Sequence, residues 1–148
     1  MTVRATLDSN ILVYAELEPE TDKGRRAQLT VAQAAAHGVL AVQALLEFLA
    51  VVRRRRPQSL PSAMDKVEAW SKVFETAPTT AGVARAAAKL VRAHDLQVWD
   101  AVIWSAARAA GATLFLTEDL QDGLVLDGMR VANPFAVSAG DLETLLGA

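Results

Sequence analysis

The sequence predicts an α/β fold, a three-layer α/β/α sandwich with a mainly parallel central sheet. Short apolar runs that suit buried strands alternate with longer segments of helical periodicity. Acidic side chains stand where several of these runs end or where the next helix opens, as expected of residues gathered at the carboxyl edge of a parallel sheet. The length of 148 residues, 52% of them apolar, suits a single domain over residues 1–148 with a well-filled core.

The first part of the chain predicts two strands separated by two helices. Residues 3–7 form a short apolar run that closes in polar, turn-forming residues, which indicates a first strand, and a helix then begins over 11–16. The alanine-rich residues 24–36 have strong helix propensity and stop before Gly38, a favoured residue at helix ends. Residues 39–42 are predicted as the second strand.

The middle of the chain predicts helices. Helix signals resume at residue 44, continue through the four arginines 53–56 and stop at Pro57. These arginines either hold phosphate groups or form a solvated helix end that complements the helix dipole. Ser62 precedes another amphipathic helix that reaches about residue 74, and a threonine at 79 or 80 can cap a third.

The last part of the chain predicts a helix, two strands and a short terminal helix. A helix over 98–110 ends at Gly111, and an apolar strand over 114–117 follows it. Residues 129–132 are a further strand, and Ser138 with Asp141 fits the start of a short helix. Strands separated by helices imply a mainly parallel sheet with helices on both faces.

Composition narrows the chemistry that the chain can perform. Cysteine does not occur, which excludes disulfides, thiolate catalysis and thiolate-bound zinc and makes a reducing cytoplasm the expected location. The formal net charge of −2 excludes a polycation held on nucleic acid by bulk charge, so that RNA would have to meet a local basic patch. The N-terminal residues lack the pattern of a signal peptide, and we expect no membrane association.

Four acidic residues are the candidates for the functional site. Asp8 and Asp119 follow predicted strands, whereas Glu47 and Asp100 lie in the opening turns of predicted helices. Each of them alone could be a turn residue or a helix cap. Together at one edge they would destabilise one another's charge, so that such a cluster binds either protons or a cation. Carboxylate oxygens suit Mg²⁺ or Mn²⁺.

The motifs around these acids resemble those of PIN-domain ribonucleases, in particular the VapC-type toxins of toxin–antitoxin pairs. The similar segments are residues 7–15, Glu47, residues 99–101 and residues 116–123, in an order and spacing that span nearly the whole chain. The resemblance implies a Mg²⁺- or Mn²⁺-dependent endoribonuclease with one or two ions. It also implies a homodimer, a small antitoxin bound over the active-site groove, and RNA products with 5′-phosphate and 3′-hydroxyl ends.

The same resemblance implies roles for individual residues. Asp8, Glu47, Asp100 and Asp119 would form the catalytic and metal-binding quartet, with Asn10 and Thr117 as polar supports. Asp8 and Asp100 are our candidates for direct ligands. Glu47 could orient the attacking water, deprotonate it or hold a metal-bound water. Three residues could fill the last acidic position. The motif favours Asp119, Asp122 is a candidate outer ligand, and Glu118 is interpreted as a solvated residue at a helix start.

Other residue patterns leave alternatives. Trp104 lies one helical turn after Asp100 and either stacks on a base or packs in the core or a dimer interface, whereas Trp70 and Trp99 are assigned to packing. A phosphoacceptor signalling domain is disfavoured, because Asp8 has no acidic neighbour and no lysine follows Lys89. A haloacid-dehalogenase-like phosphatase would need a second aspartate where Asn10 stands. The remaining rival is a PIN fold that binds RNA or protein without cutting RNA.

Overall fold

The computed structural model describes residues 3–147, within which six strands form one sheet. They are β1 (Ala5–Leu7), β2 (Val39–Ala41), β3 (Glu75–Ala77), β4 (Leu114–Leu116), β5 (Val125–Leu126) and β6 (Met129–Ala132). Their order in the sheet is β3-β2-β1-β4-β6-β5. Neighbouring strands pair in parallel along the sheet from β3 through β2, β1 and β4 to β6. The last strand, β5, pairs antiparallel with β6. The prediction of a mainly parallel sheet is confirmed.

Helices connect the strands and cover both faces of the sheet. Over the described residues they are α1 (Ser9–Leu17), α2 (Asp22–Ala34), α3 (Val42–Arg55), α4 (Leu60–Val73), α5 (Ala81–His94), α6 (Val98–Ala109) and α7 (Ala139–Leu145). A short 3-10 turn, Pro57–Ser59, separates α3 from α4. As far as residues 3–147 are concerned, none of these helices has both the length and the apolar character needed to cross a membrane.

Two hydrophobic cores lie on opposite faces of the sheet. One core contains buried residues of the helices α1, α2, α3, α4 and α7 together with Leu116 of β4. The other contains buried residues of α5 and α6 together with Phe115 of β4. Successive side chains of β4 thus enter different cores, as the pleat of a strand that is buried on both faces requires. This arrangement is the predicted three-layer α/β/α sandwich.

The central pair of strands brings the two ends of the chain together. Ala5 lies opposite Leu114 and Leu7 opposite Leu116 in the parallel pairing of β1 with β4. The backbone N–H of Asp8 continues this ladder by donating to the carbonyl oxygen of Leu116 at 3.0 Å. The residues that follow β1 and β4 therefore share one edge of the sheet, as the sequence predicted.

Two strands were missed by the sequence analysis. β3 is an edge strand whose first residue, Glu75, is exposed, so that it lacks the apolar run that marks a buried strand. β5 contains two residues and pairs with β6 across Asp127 and Gly128, which both have positive φ angles. The sequence Asp-Gly is a typical signal for such a hairpin turn, and it was the available clue to β5.

Several predicted boundaries also differ from the structure. α4 begins at Leu60, so that Ser62 lies inside this helix instead of preceding it. β2 ends at Ala41 and α3 follows at once, which places Glu47 in the second turn of α3. The predicted helix starts at Thr80 and Ser138 are confirmed, since each side chain accepts a backbone N–H from the first turn of its helix.

Candidate functional site

Asp8 is the buried centre of the acidic edge and also the N-cap of α1. Its side chain is only 2% exposed. Asp8 Oδ1 accepts a hydrogen bond from the Ser9 backbone N–H at 2.7 Å, and Oδ2 accepts one from the Thr117 hydroxyl at 2.8 Å. The first backbone N–H of α1 and the side chain of Thr117, in the loop after β4, therefore hold both oxygens of this carboxylate.

Thr117 and Asn10 connect Asp8 to Asp119. The Thr117 hydroxyl donates to Asp8 and accepts from the Asn10 side-chain amide and from the Asp119 backbone N–H, both at 3.1 Å. Since a hydroxyl has one hydrogen and two lone pairs, these bonds use its full capacity. Asn10 Nδ2 also donates to Asp119 Oδ2 at 2.9 Å. The structure thus brings these four side chains into one hydrogen-bonded network.

Glu47 and Asp100 approach the same edge from two helices. Asp100 lies in the first turn of α6, where its backbone N–H donates to the side chain of Gln97, the N-cap of the helix. The positive end of the helix dipole favours a carboxylate at that position. Glu47 is partly buried in α3, and within residues 3–147 its buried Oε2 atom has no hydrogen-bond partner.

The carboxylates are close enough to change one another's proton affinity. Burial, and then the charge of Asp100, raise the pKa of Asp8 from 3.8 to about 6. Burial, and then the charges of Asp8 and Asp100, raise the pKa of Glu47 from 4.5 to about 7. The pKa of Asp100 is raised by burial and by the charge of Asp119. All four predicted acids therefore belong to one electrostatically coupled cluster.

The donor set of this cluster suits a hard divalent cation. In the described part of the chain, no three carboxylate or histidine side chains are gathered closely enough to hold an ion as they stand. Their chemistry nevertheless fits one: every donor is an oxygen, burial disfavours uncompensated negative charge, and Glu47 Oε2 is unsatisfied. The chemistry of these four acids therefore fits a divalent cation at this edge of the sheet.

The two remaining acids near Asp119 are engaged in other contacts. Asp122 is exposed, and its Oδ1 accepts a hydrogen bond from the Asn133 backbone N–H at 3.0 Å. Glu118 accepts a hydrogen bond from the Tyr14 hydroxyl and pairs with Lys23 at 2.6 Å. The interpretation of Glu118 as a solvated residue at a helix start was wrong, because β4 is followed by a loop and the carboxylate is bound on both oxygens.

The tryptophans and arginines depart in part from the sequence analysis. Trp104 is buried and stacks on Phe115 with ring centroids 5.1 Å apart, which assigns it to the core. Trp70 packs on Phe48, but Trp99 is 49% exposed and was wrongly assigned to packing. The arginines of the α3 end are exposed, and Arg56 donates to the Leu17 carbonyl oxygen at 2.8 Å.

Tyr14 and Lys23 were not identified from the sequence as neighbours of the site. Tyr14 stands four residues after Asn10 on α1, so that helical spacing alone would have put both side chains on one face of the helix. Lys23 belongs to no motif, and its pairing with Glu118 depends on how α2 packs against α1. A lone lysine in a helix carries no signal for such a contact.

Comparison with known families gives one match over most of the chain. A family model described as the PIN domain matches residues 5–121. This range includes Asp8, Glu47, Asp100 and Asp119. A search of curated proteins finds no match to the sequence.

Solved structures with a similar fold include several toxin–antitoxin proteins. A toxin–antitoxin complex from Klebsiella pneumoniae has a chain with 16% identity and a TM-score of 0.68, and the match covers 90% of this chain and 99% of that chain. VapBC2 from Rickettsia felis, bound to a DNA fragment from its promoter, has 17% identity, a TM-score of 0.64, and coverage of 88% and 98%. VapC20 from Mycobacterium tuberculosis, described as a sarcin-ricin loop cleaving toxin, has 16% identity, a TM-score of 0.63, and coverage of 75% and 86%. At these identities the likeness shows a shared fold.

Proposed function

Since the chain belongs to the PIN-domain family, we propose that it is a metal-dependent endoribonuclease, the toxin of a type II toxin–antitoxin pair. The observation that carries this proposal is the coupled acidic edge. Burial and the charges of neighbouring carboxylates raise the pKa values of Asp8, Glu47 and Asp100 at the edge of a parallel sheet. Such an arrangement is costly for the fold and is typical of a site that acts on charged substrates.

The four acids would hold one or two Mg²⁺ or Mn²⁺ ions, with Asp8 and Asp100 as direct ligands and Glu47 and Asp119 completing the site. A bound divalent ion supplies positive charge against the phosphate oxygens and favours ionisation of a water molecule. Since Mg²⁺ keeps several of its waters when bound, some of these carboxylates would act through water. Asp122 would be at most an outer ligand, because it already accepts the Asn133 N–H.

The protein residues around the acids would orient them and the attacking water. Asn10 and Thr117 fix Asp119 and Asp8 through direct hydrogen bonds and therefore restrict rotation of both carboxylates. Glu47 Oε2 is free of protein partners in the described residues and can accept a hydrogen bond from the attacking water. Hydrolysis would leave a 5′-phosphate on one RNA product and a 3′-hydroxyl on the other.

The proposed partners are RNA, an antitoxin and a second copy of the chain. The fold's likeness to chains of solved toxin–antitoxin complexes supports a small antitoxin protein that covers the site. RNA as substrate and the cytoplasm as location follow from the proposed toxin function. The homodimer has partial support in exposed apolar side chains, which include Leu46 and Trp99 next to the acids.

The proposal is tested by RNA cleavage. Purified protein, free of antitoxin, is incubated with a mixture of structured RNAs in Mg²⁺, in Mn²⁺ and in chelator. Asp8→Asn removes a charge of the site, and Asp65→Asn makes the same change on the exposed face of α4. We expect metal-dependent cleavage by the native protein and by Asp65→Asn, and none by Asp8→Asn. Equal cleavage by all three proteins would indicate a contaminating nuclease and would refute the assignment.

A PIN fold that binds RNA or protein without cutting it is the second candidate. The open spacing of the carboxylates over residues 3–147 favours this function, because the side chains are not gathered for an ion. A folded protein that binds RNA, takes up no Mn²⁺ and leaves every RNA of the mixture intact would support the binding module. Uptake of Mn²⁺ that depends on Asp8 would instead favour the nuclease.

A further inference from the structure

A second cluster of side chains surrounds Glu118, the residue before Asp119 of the acidic edge. It consists of Tyr14, Lys23, Glu118 and Phe135, and we call it the Glu118 cluster. Glu118 Oε1 accepts a hydrogen bond from the Tyr14 hydroxyl, and Glu118 Oε2 lies 2.6 Å from Lys23 Nζ. Both oxygens of this carboxylate are therefore bound by side chains from α1 and α2.

Aromatic rings hold the lysine of this cluster in place. Lys23 Nζ lies 4.2 Å from the centroid of the Tyr14 ring and 5.0 Å from that of Phe135. The two rings meet edge to face with their centroids 5.5 Å apart. An ammonium over two ring faces is attracted to both, and the rings limit the rotation of its flexible stem.

The cluster is partly shielded from solvent, which separates it from an ordinary surface ion pair. The side chains of Glu118 and Lys23 are 21% and 38% exposed, whereas both partners of the Lys72 and Glu68 pair on α4 are more than 70% exposed. Partial burial alone would raise the pKa of Glu118, but the hydrogen bonds from Lys23 and Tyr14 hold it below its ordinary value. Charge-assisted bonds of this kind fix side-chain geometry better than solvated pairs do.

The position of Glu118 links this cluster to the acidic edge. Glu118 stands between Thr117, which binds Asp8, and Asp119, which accepts from Asn10. On α1, Tyr14 follows Asn10 by one helical turn, so that the two side chains lie on the same face. Two residues on one face of α1 thus bind two consecutive residues of the loop: Asn10 binds Asp119 and Tyr14 binds Glu118.

We propose that Glu118 is a positioning residue, which Lys23 and Tyr14 hold so that Asp119 is kept at the acidic edge. The loop after β4 has no regular structure between Leu116 and β5 in the described residues, and its backbone N–H groups at Thr117 and Gly123 donate to the carbonyl oxygens of Ala132 and Val131. Between these two backbone bonds, Asn10 is the side chain that binds the carboxylate of Asp119. The contacts of Glu118 with Tyr14 and Lys23 hold the adjacent residue and so further restrict the backbone at Asp119. The inference rests on the proposed function for its effect on catalysis, but the geometric effect on Asp119 does not require it.

Two substitutions weaken the cluster and leave the four acids unchanged. Lys23→Met keeps most of the side-chain volume and removes the charge, and Glu118→Gln keeps an acceptor for Tyr14 and removes the ion pair. Lys72→Met is the matched control, because it breaks the exposed pair with Glu68 on α4. Thermal melting of all three variants checks that the proteins are folded at the assay temperature.

The first measurement is the NMR spectrum of the metal-free protein. We expect the Asn10 side-chain amide and the Asp119 backbone amide resonances to shift in Lys23→Met and in Glu118→Gln, and to stay unchanged in Lys72→Met. Both groups belong to the hydrogen bonds that hold Asp119. Unchanged resonances in the two cluster variants would overturn the proposal, whether or not the protein cuts RNA.

The second measurement is Mn²⁺ affinity by calorimetry, together with RNA cleavage kinetics. We expect the cluster variants to lose roughly ten- to a hundredfold in Mn²⁺ affinity or in kcat, with KM for RNA unchanged. Variants that melt earlier but keep native Mn²⁺ affinity and native kcat would show a purely structural cluster. A raised KM in Lys23→Met alone would assign Lys23 to phosphate binding. Either of these results refutes the positioning role, whereas failure of the native protein to bind Mn²⁺ or cut RNA refutes the proposed function.

Discussion

At the residue scale, the side chain of Asp8 is subject to opposing influences. Burial and the neighbouring carboxylates favour its protonated form, while the Thr117 hydroxyl and the Ser9 N–H favour its ionised form, and the net result is a pKa of about 6. An aspartate in this state is negatively charged at neutral pH at a cost to the fold. That cost is relieved by a proton or by a cation.

The first prediction concerns the stability of the metal-free protein as a function of pH. The folded-state pKa values of Asp8 and Glu47, about 6 and about 7, lie above the ordinary values of 3.8 and 4.5. The folded state therefore keeps these protons to higher pH than the unfolded state, so their contribution to stability is complete below about pH 4 and is lost as the pH rises through 6 to 7. Thermal melting in chelator should show a lower Tm at about pH 8 than at about pH 5.

Asp8→Asn isolates the contribution of this one residue. Asparagine is also a good N-cap and carries no charge. At about pH 8, without metal, we expect Asp8→Asn to raise the free energy of unfolding by on the order of 2 kcal/mol, and by about half as much at about pH 5. Asp65→Asn, on the exposed face of α4, is the control and should change neither value. An equal effect of Asp8→Asn at both pH values would contradict the electrostatic cause.

The second prediction concerns the hydroxyl of Thr117. Thr117→Val keeps the shape of this buried side chain but leaves Asp8 Oδ2 without its 2.8 Å donor. We expect urea unfolding in metal-free buffer to show a loss of about 1 to 3 kcal/mol. Thr117→Ser keeps the hydroxyl and should lose clearly less. If Thr117→Ser lost as much as Thr117→Val or more, the hydrogen bond would contribute no more to stability than the methyl group, which would contradict this prediction.

At the element scale, the helices that face the site depend on close contacts that the sequence reveals only in part. Strand ends at β1 and β4 and most helix ends were predictable, because apolar runs, caps and glycine stops are local signals. The edge strand β3 carries no such signal, since an exposed Glu75 begins it. The packing of α2 on α1, which brings Lys23 to Glu118, depends on the tertiary fold and could not be predicted from periodicity.

The third prediction tests this packing at Gly24 of α2. A Cβ atom at Gly24 would lie 1.5 Å from the carbonyl oxygen of Glu18, which is backbone just after α1 and has little freedom to move. We expect Gly24→Ala to cost about 3 kcal/mol in unfolding free energy because the two helices must separate. Gly82→Ala is the matched control in the first turn of α5, where the nearest atom would be 3.7 Å away.

At Gly82 the substitution should be neutral or stabilise the protein by up to about 1 kcal/mol, because alanine is the better helix former. Chemical denaturation of both variants measures the difference. Similar free energies of unfolding for Gly24→Ala and Gly82→Ala would show that α1 and α2 can move apart at little cost. The packing of these helices would then not fix the positions of Tyr14 and Lys23 in the Glu118 cluster.

At the scale of the whole molecule, one sheet brings distant parts of the sequence to a common edge. The topology was predictable in outline, because strands that alternate with helices form parallel sheets and the acids follow or precede them at the same end. The coupled pKa values of Asp8, Glu47 and Asp100 agree with that placement. The contacts of Glu118 and the exposure of Trp99 were not predictable, since both depend on which side chains the fold happens to bring near them.

The fourth prediction concerns metal binding and global stability. A cation at the acidic edge binds the folded state and relieves repulsion between the carboxylates, so it should raise the Tm. At a concentration a hundredfold above its dissociation constant, Mn²⁺ should add about 2.7 kcal/mol to the unfolding free energy. The increase should be larger at about pH 8 than at about pH 5, because protons compete for the same oxygens. Asp100→Asn should reduce it, and an undiminished increase in that variant would place the ion elsewhere.

The pairing of β1 with β4 has a further consequence for the order of events during protein synthesis. Asp8 and Glu47 leave the ribosome early, but β4, which pairs with β1 on one side, and the residues Thr117 and Asp119 are made about a hundred residues after Asp8. A nascent chain that ends before β4 has neither the ladder that orders Asp8 nor the hydroxyl that binds it. For the proposed ribonuclease, the acidic edge is therefore incomplete in a newly made chain until translation has passed β4 and the residues that follow it.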